Sequence, residues 1–259
     1  IASKGNMNCN ELSSKSIKDI LVVLSSIIKY TSQYHEENMK NININYPKEK
    51  KDPVKILSIE DQNKFTQFLL NDIDECKFGI LLAMTTGIRI GELCALKRNN
   101  ISIENKEVYI RSSMQRIKNF NKKINSKTVV VIGDTKSSNS CRDIPIMSCV
   151  CSLCESIYKN NDAYILTGHS DKYMEPRTLQ MRFAKYTKQC GIENINFHAL
   201  RHTFATRCIE TDFEIKSLSE ILGHSSTKIT MDRYVHSSMD LKRKNIEKLE
   251  YKNFAVNFN

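Results

Sequence analysis

Apolar residues in the first segment of the chain recur at steps of three and four positions. This spacing places them on one face of a helix, and Ser13 and Ser14 precede the pattern as candidate N-cap residues. We predict part of a helical domain over residues 1–46, with its beginning missing, because an independent domain needs about 100 residues. We expect the apolar face of this helix to pack against another part of the protein. The apolar positions on that face are Ile17, Ile20, Leu21, Leu24, Ile27 and Ile28.

A polar stretch separates this helix from the rest of the chain. Pro47 and Pro53 enclose a run of charged residues that has no apolar period. Two prolines and a polar composition are typical of a connection rather than of a helix or strand. Residues 47–53 are therefore predicted to be a linker, and residues 54–259 a second, larger domain.

The pattern within the larger domain changes twice. Helical spacing comes first, with Ser58 as a cap and Asp61 at the third position. Short β-branched runs then predict a small antiparallel sheet, and helical spacing returns after Met147. This order is typical of a mostly α (α+β) fold. The predicted strands are Ile101–Ile103, Val108–Ile110, Val129–Ile132 and Arg142–Pro145; later helices include those starting at Pro176 and His198 and a last one near Leu241, Ile246 and Leu249.

Positive charge is concentrated in the predicted sheet. The 259 residues carry a formal charge of +10, and residues 106–142 contain nine basic side chains against two acidic ones. A concentrated basic patch favours a polyanionic partner, either nucleic acid or a membrane surface. For any single lysine, a solvated surface position explains the residue equally well.

Other features narrow the class of protein. The most apolar run, residues 20–28, contains Ser25 and Ser26 and is shorter than the roughly 20 residues of a membrane span. The first residues lack the basic and apolar regions of a secretory signal. Nine scattered cysteines, an odd number, favour reduced thiols over a disulfide framework. We therefore expect a cytoplasmic protein that does not span a membrane.

Two segments contain arginines in positions suited to a phosphate. In Thr85–Leu93, Gly87 permits a tight turn and Arg89 enters a helix, although an ion pair with Glu92 explains the same spacing. In His198-Ala199-Leu200-Arg201-His202, positions 198, 201 and 202 share one helix face. The two histidines also suggest zinc, but the glutamate of the zinc-protease motif is replaced by alanine, and Arg201 opposes a cation.

A third segment lies near the end of the chain. It begins with Leu222-Gly223-His224, and Tyr234 follows ten residues after His224. A lone tyrosine is usually a half-buried core residue. By itself this segment does not indicate a function; it does so only in combination with the other two segments.

In this order, the three segments closely resemble the tyrosine recombinase family, which includes lambda-type phage integrases and the integrases of conjugative transposons. The resemblance covers roughly residues 54–250, and more loosely the first helix, which is similar to the end of the family's core-binding domain. It implies a helical catalytic domain preceded by part of that domain, without the family's arm-binding domain. The implied catalytic residues are Arg89, Lys136, His198, Arg201, His224 and Tyr234, and Glu92 is implied to hold the first arginine in place.

The resemblance also implies a reaction. Two arginines can hold the oxygens of a DNA phosphodiester while a tyrosine attacks phosphorus and forms a 3′-phosphotyrosyl bond. His198 would accept a proton or donate to the phosphate, and Lys136 would protonate the departing 5′ oxygen, although Lys127 lies in the same hairpin. Because the covalent bond conserves the phosphodiester energy, we expect no cofactor. The sequence also has no Gly-Lys-Ser/Thr phosphate loop.

A cysteine cluster is the remaining metal candidate. Cys149, Cys151 and Cys154 lie close together, with His169 further along. Their spacing differs from that of paired zinc knuckles, and Val150, Cys154 and neighbouring apolar residues fit the buried face of a helix. We favour packing and predict no metal site.

The implied partner is not a membrane surface but double-stranded DNA, bound by a homo-oligomer ranging from dimer to tetramer. Exchange of the C-terminal helix between subunits would link the oligomer, while docking on its own domain is the simpler alternative. An accessory DNA-bending or directionality factor remains open. The rival functions are a non-cleaving DNA-binding regulator and a type IB topoisomerase-like enzyme. Candidate DNA contacts are Lys15, Ser16, Lys118, Lys122, Lys123, Arg142, Arg177 and Arg182.

Overall fold

The chain divides between Pro53 and Val54 into two units. The computed structural model describes residues 12–34, 43–47, 54–119, 126–134, 141–234 and 243. The predicted linker over residues 47–53 and the predicted last helix near Leu241 lie almost entirely outside these ranges. Within them, no helix is both long enough and apolar enough to cross a membrane.

The first unit contains one long helix, α1 (Ser14–Tyr34). Its start follows from local chemistry, since the Ser13 hydroxyl accepts a hydrogen bond from the Ser16 amide at 3.1 Å. Several apolar side chains of α1, among them Val23 and Ile27, are more than half exposed.

In the larger unit, two capped helices form the first layer. They are α2 (Ile59–Leu70) and α3 (Glu75–Thr86). The Ser58 hydroxyl accepts from the Asp61 amide, as predicted, and the Asp74 carboxylate caps α3 in the same way. Nine of the twelve residues of α3 are buried, so this helix lies at the centre of the unit.

Six further α-helices follow within the described residues. They are short and joined by tight turns, which brings distant sequence segments together. In chain order they are α4 (Ile90–Ala95), α5 (Ser148–Ile157), α6 (Pro176–Gln189), α7 (His198–Glu210), α8 (Ile215–Leu222) and α9 (Thr227–Tyr234), with a single 3₁₀ turn at Arg98–Asn100.

The strands form two antiparallel sheets rather than the single sheet we predicted. β1 (Ile101–Ser102), β2 (Glu107–Ile110) and β5 (Arg142–Pro145) form one in the order β1-β2-β5, while β3 (Ser112–Lys118) and β4 (Thr128–Asp134) form a separate pair. The register runs from Ser112 opposite Asp134 to Lys118 opposite Thr128. Sequence reasoning missed β3 because its charged and polar residues lack a strong β-branched run. The mostly α (α+β) prediction is confirmed.

Aromatic side chains hold the core beneath the later helices. The ring of Phe183 on α6 meets the edges of Phe65 and Phe197 at centroid distances of 5.7 and 5.4 Å. All three rings are at most 5% exposed. Phe197 immediately precedes α7, so this packing fixes the start of the helix that carries His198.

We predict that Phe183→Ala lowers the free energy of unfolding by about 3–5 kcal/mol, because it removes a fully buried ring from a packed core. Phe213→Ala is the matched control, since Phe213 is 40% exposed and should cost far less. Urea denaturation of both variants measures the difference. Equal losses would contradict the assignment of Phe183 to the core.

Candidate active site

The centre of the site is the C-terminal end of α8. The helix ends at Gly223, which adopts a left-handed conformation with φ of 62°. Carbonyls at a helix end have no partner within the helix and carry partial negative charge. Three successive carbonyls here each accept a hydrogen bond from a different arginine: Ile221 from Arg142 at 2.5 Å, Leu222 from Arg201 at 2.6 Å and Gly223 from Arg89 at 2.7 Å.

Arg89 is held at the start of α4 by Glu92. The Arg89 backbone amide donates to Oε2 of Glu92 at 2.9 Å, and its Nη1 donates to Oε1 at 2.8 Å. The same arginine reaches Gly223, 134 positions away in sequence. The Arg89 side chain remains 37% exposed, so it is anchored but open on one side.

Arg142 is a correction to our prediction of a DNA contact. Its side chain is 6% exposed, and its Nη1 and Nη2 both donate to the Glu92 carboxylate, at 3.0 and 2.8 Å. A guanidinium fork matches a carboxylate in this two-point geometry. Arg142 therefore holds Glu92 from within the protein and is not available as a surface contact to DNA.

Arg201 on α7 is the most deeply placed of the site's predicted cations. Its Nη1 donates to the Gly87 carbonyl at 2.8 Å, and the residue is 3% exposed. Gly87 ends α3 with φ of 65°, and a Cβ there would lie 2.6 Å from the Phe204 ring. Glycine is thus required at this turn by both conformation and space.

The charges in this cluster do not balance. In the part of the chain that the structure describes, Arg89, Arg142 and Arg201 surround one carboxylate, that of Glu92. Burial, followed by the charges of Arg89 and Arg142, lowers the pKa of Arg201 to about 9. Burial alone would raise the pKa of Glu92, but the hydrogen bonds and charges of Arg142 and Arg89 outweigh it and hold that pKa below its usual value. The cluster therefore favours an additional anion.

A cavity of about 400 Å³ opens beside Arg201. His198, the first residue of α7, and Arg177 of α6 line it together with Phe197. Burial and then the charges of Arg201, Arg233 and Arg89 lower the pKa of His198. His198 is thus a neutral imidazole at neutral pH, beside a space that is bordered by positive charge.

His224 directly follows Gly223 at the end of α8 and lines a different cavity from His198. Its Nδ1 is 2.8 Å from the Thr230 hydroxyl on α9. Burial, and then the charges of Arg201 and Arg89, lower the pKa of His224 to about 4. Its imidazole is therefore neutral at neutral pH, and Thr230 fixes the orientation of the ring.

Tyr234 is the last residue of α9 and is 7% exposed. Its ring packs in a small cluster with Ala205, Leu218 and Leu222. The hydroxyl lies 2.7 Å from Nδ1 of His202. Burial raises the pKa of Tyr234, while the charges of Arg201 and Arg233 oppose that rise. The phenol is therefore close enough to Arg201 to interact with its charge.

Two residues without a predicted role, His202 and Arg233, also lie at this site. The available signals were weak: His202 shares a helix face with His198 and Arg201, and Arg233 directly precedes Tyr234. In the structure, the rings of His198 and His202 meet edge to face with centroids 4.5 Å apart. The positive charge of Arg233 opposes the rise that burial causes in the pKa of Tyr234.

Three of the predicted residues, Lys136, Lys122 and Lys123, lie outside the described residues. Other predicted residues are described but do not join this cluster. Lys127, the alternative lysine, directly precedes β4. Lys118 is exposed at the end of β3, and Arg182 lines a second cavity with Cys76. Lys15 is exposed on α1, and Ser16 hydrogen-bonds to Ser13 in its first turn.

Two of the three clustered cysteines belong to the hydrophobic core. Cys151 and Cys154 on α5 are buried, and burial raises the pKa of Cys154 to about 11. Cys149 is exposed. Across the described ranges, no three His, Cys, Asp or Glu side chains lie together in a way that could hold a metal ion.

We predict that Glu92→Gln lowers the free energy of unfolding by about 3–5 kcal/mol, because it leaves the buried guanidinium of Arg142 without its carboxylate. Glu210→Gln is the matched control: its carboxylate, 49% exposed beside Arg207, should contribute less than about 1 kcal/mol. Chemical denaturation compares the two. A small loss for both variants would show that the arginine cluster does not depend on Glu92.

The histidines predict a pH dependence of stability. His202 and His224 have folded-state pKa values of about 4, below the ordinary 6.5, so the unfolded chain binds protons first as the pH falls. The free energy of unfolding should therefore decrease between pH 6.5 and 4. Urea denaturation at several pH values should show a weaker decrease for His224→Gln. The exposed His169→Gln control should keep the full decrease, and identical curves for all three proteins would contradict the assignment.

Comparison with known proteins agrees with the geometry. Residues 55–240 match the Phage integrase family. A "Tyrosine recombinase XerC-like" protein of Caldanaerobacter subterraneus subsp. tengcongensis is 31% identical over 172 residues, which cover 60% of this chain and 44% of that protein. The integrase of Staphylococcus phage L54a is 25% identical, over 93% of this chain and 75% of its own length. This chain thus spans less than half of the XerC-like relative.

The fold also matches a solved structure. The Tn1549 transposon integrase, in complex with transposon right-end DNA, superposes with a TM-score of 0.73 over 92% of this chain and 80% of its own. At 22% identity this likeness concerns the fold. Because the family match covers most of the chain and includes each of the three motif segments, the chain belongs to the Phage integrase family.

Proposed function

We propose that this chain is a site-specific DNA recombinase of a mobile genetic element, which cleaves and rejoins DNA through a 3′-phosphotyrosyl bond to Tyr234. The observation that carries the proposal is the convergence of Arg89, Arg201 and Tyr234 at the end of α8. These residues are separated by up to 145 positions in sequence. A phosphodiester reaction needs such a set, namely a nucleophile and fixed cations.

The two arginines support phosphate binding because they are anchored and still have donors available. Each guanidinium has five N–H groups. Arg89 uses two side-chain bonds for Glu92 and Gly223, and Arg201 uses two for carbonyl oxygens. The remaining donors can bind the non-bridging oxygens, on which charge grows in the transition state.

The neutral histidines suit a role beside that phosphate. His198 borders the cavity next to Arg201, and Thr230 orients His224. A neutral imidazole can donate one hydrogen bond to a phosphate oxygen without adding charge. We assign this role to both residues and assign the proton of the leaving 5′ oxygen to Lys136.

Every bond that forms or breaks in the proposed reaction belongs to the protein or to the DNA. The Tyr234 oxygen forms a bond to phosphorus as the bond to the 5′ oxygen breaks, and a 5′ hydroxyl later reverses the step. The phosphotyrosyl bond retains the energy of the phosphodiester, so no cofactor is needed for the balance. Strand exchange then requires two DNA sites and a homo-oligomer, which we propose assembles on duplex DNA in the cytoplasm, with the C-terminal helix exchanged between subunits. The predicted surface cations Lys118 and Arg177 would contact the duplex.

A trapping experiment tests the proposal. The protein is mixed with a pool of duplexes that have a randomised segment and a nick, so that cleavage near the nick releases a short fragment and leaves the DNA attached to protein. Denaturing gels detect the adduct, and sequencing its junction identifies the preferred duplex. We predict an adduct for the native protein and none for Tyr234→Phe. Arg201→Lys should form it at least about 100-fold more slowly.

Tyr173→Phe is the matched control, since Tyr173 is exposed and outside the site. Absence of an adduct with the native protein, together with ordinary DNA binding, would favour a non-cleaving regulator. An adduct followed only by plasmid relaxation would favour a topoisomerase-like enzyme. Recombination between two copies of the selected site would support the proposal.

A further inference from the structure

The hydroxyl of Tyr234 has a specific partner, and it is not His198. The phenol oxygen lies 2.7 Å from Nδ1 of His202. Their rings are tilted at 54° with centroids 5.7 Å apart, so the contact is made at the edge of the imidazole. Among the described residues, no hydrogen bond joins Tyr234 to His198.

The groups around this contact favour transfer of the proton from the Tyr234 hydroxyl to His202. Burial raises the pKa of the Tyr234 hydroxyl, whereas the positive charge of Arg233 opposes that rise and so favours loss of the proton. Burial, followed by the charges of His198, Arg233 and Arg201, lowers the pKa of His202 to about 4. His202 is therefore neutral, and its Nδ1 can accept the phenol proton.

We propose that His202 is the general base of the reaction, accepting the proton of the Tyr234 hydroxyl as the phenol oxygen attacks phosphorus. This inference rests on the function proposed above. As the new phosphorus–oxygen bond forms, the bond to the 5′ oxygen breaks, and that oxygen leaves with a proton from Lys136. In the rejoining step the 5′ hydroxyl attacks, its proton returns to the lysine, and the departing phenolate recovers its proton from Nδ1 of His202.

Because of the position of His202, the pKa of its imidazole depends on whether the DNA phosphate is bound. Among the described residues, the charged and titratable groups facing it are His198 and Arg201 on its own helix, and Arg233 and Tyr234 on α9. Without DNA, these arginines oppose a second positive charge. A phosphate bound by Arg201 adds negative charge at the same place and favours the protonated imidazole. The base therefore becomes stronger when the scissile phosphate is present.

The test compares His202→Asn, His202→Ala and the matched control His169→Asn, with the native protein. Asparagine places an amide oxygen near the Nδ1 position, so it can accept the phenol hydrogen bond but cannot take up the proton at neutral pH. The probe is the nicked duplex recovered by trapping, and the readout is the single-turnover rate of adduct formation. We expect both His202 variants to be about 10²–10⁴-fold slower at pH 7, with the control unchanged.

A second version of the probe has sulfur in place of the scissile 5′ oxygen. A thiolate leaves without a proton, so this substrate restores the rate of a variant that lacks the acid. Lys136→Ala should regain most of its rate, whereas His202→Asn should remain slow. Rescue of His202→Asn would assign the residue to the leaving group and overturn the proposal.

The pH profile separates proton transfer from positioning. Without the base, the phenolate must form through solvent hydroxide, so the rate of His202→Asn should rise up to tenfold per pH unit between pH 7 and 9. Its deficit relative to the native protein should shrink accordingly. A deficit that is constant with pH, or a native rate for His202→Asn, would overturn the proposal. The proposed function is tested separately, because it requires only that the native protein forms the adduct and Tyr234→Phe does not.

Discussion

The interaction on which this site depends is the binding of three guanidinium groups to one helix end and one carboxylate. The last carbonyls of α8 need donors, and Arg89, Arg142 and Arg201 supply them. Glu92 then ties Arg89 and Arg142 together. Because each arginine comes from a different segment, this set of polar bonds also joins α3, α4, β5, α7 and α8 around the site.

The same arrangement produces the electrostatics of the candidate active site. Three cations around one anion leave positive charge beside the cavity, where a phosphate can bind. That charge, together with burial, keeps His198, His202 and His224 neutral. The neutral histidines can then accept a proton or donate a single hydrogen bond. The excess positive charge that would bind a phosphate in the proposed reaction thus acts together with burial to keep these imidazoles neutral.

Particular residues show which structural features could be predicted from the sequence pattern alone. The caps at Ser58 and the start of α6 at Pro176 were predictable because helix termini have local requirements. β3 was not predicted because its residues are largely polar. It pairs with β4 through backbone hydrogen bonds, which do not depend on the type of side chain. Arg142 was assigned to DNA because a surface cation and a buried one look the same in a sequence. Its partner, Glu92, is 50 positions away.

The sequence by itself determined the fold class, the family and the predicted set of Arg89, His198, Arg201, His224 and Tyr234, because each of these residues lies in a short motif with its own spacing. Only the tertiary structure decided which of two neighbouring histidines contacts the phenol and which arginine is structural. The reason is physical: a hydrogen bond depends on distance and direction, and burial depends on all the elements that surround a side chain. Neither quantity is contained in the spacing of residues along one chain.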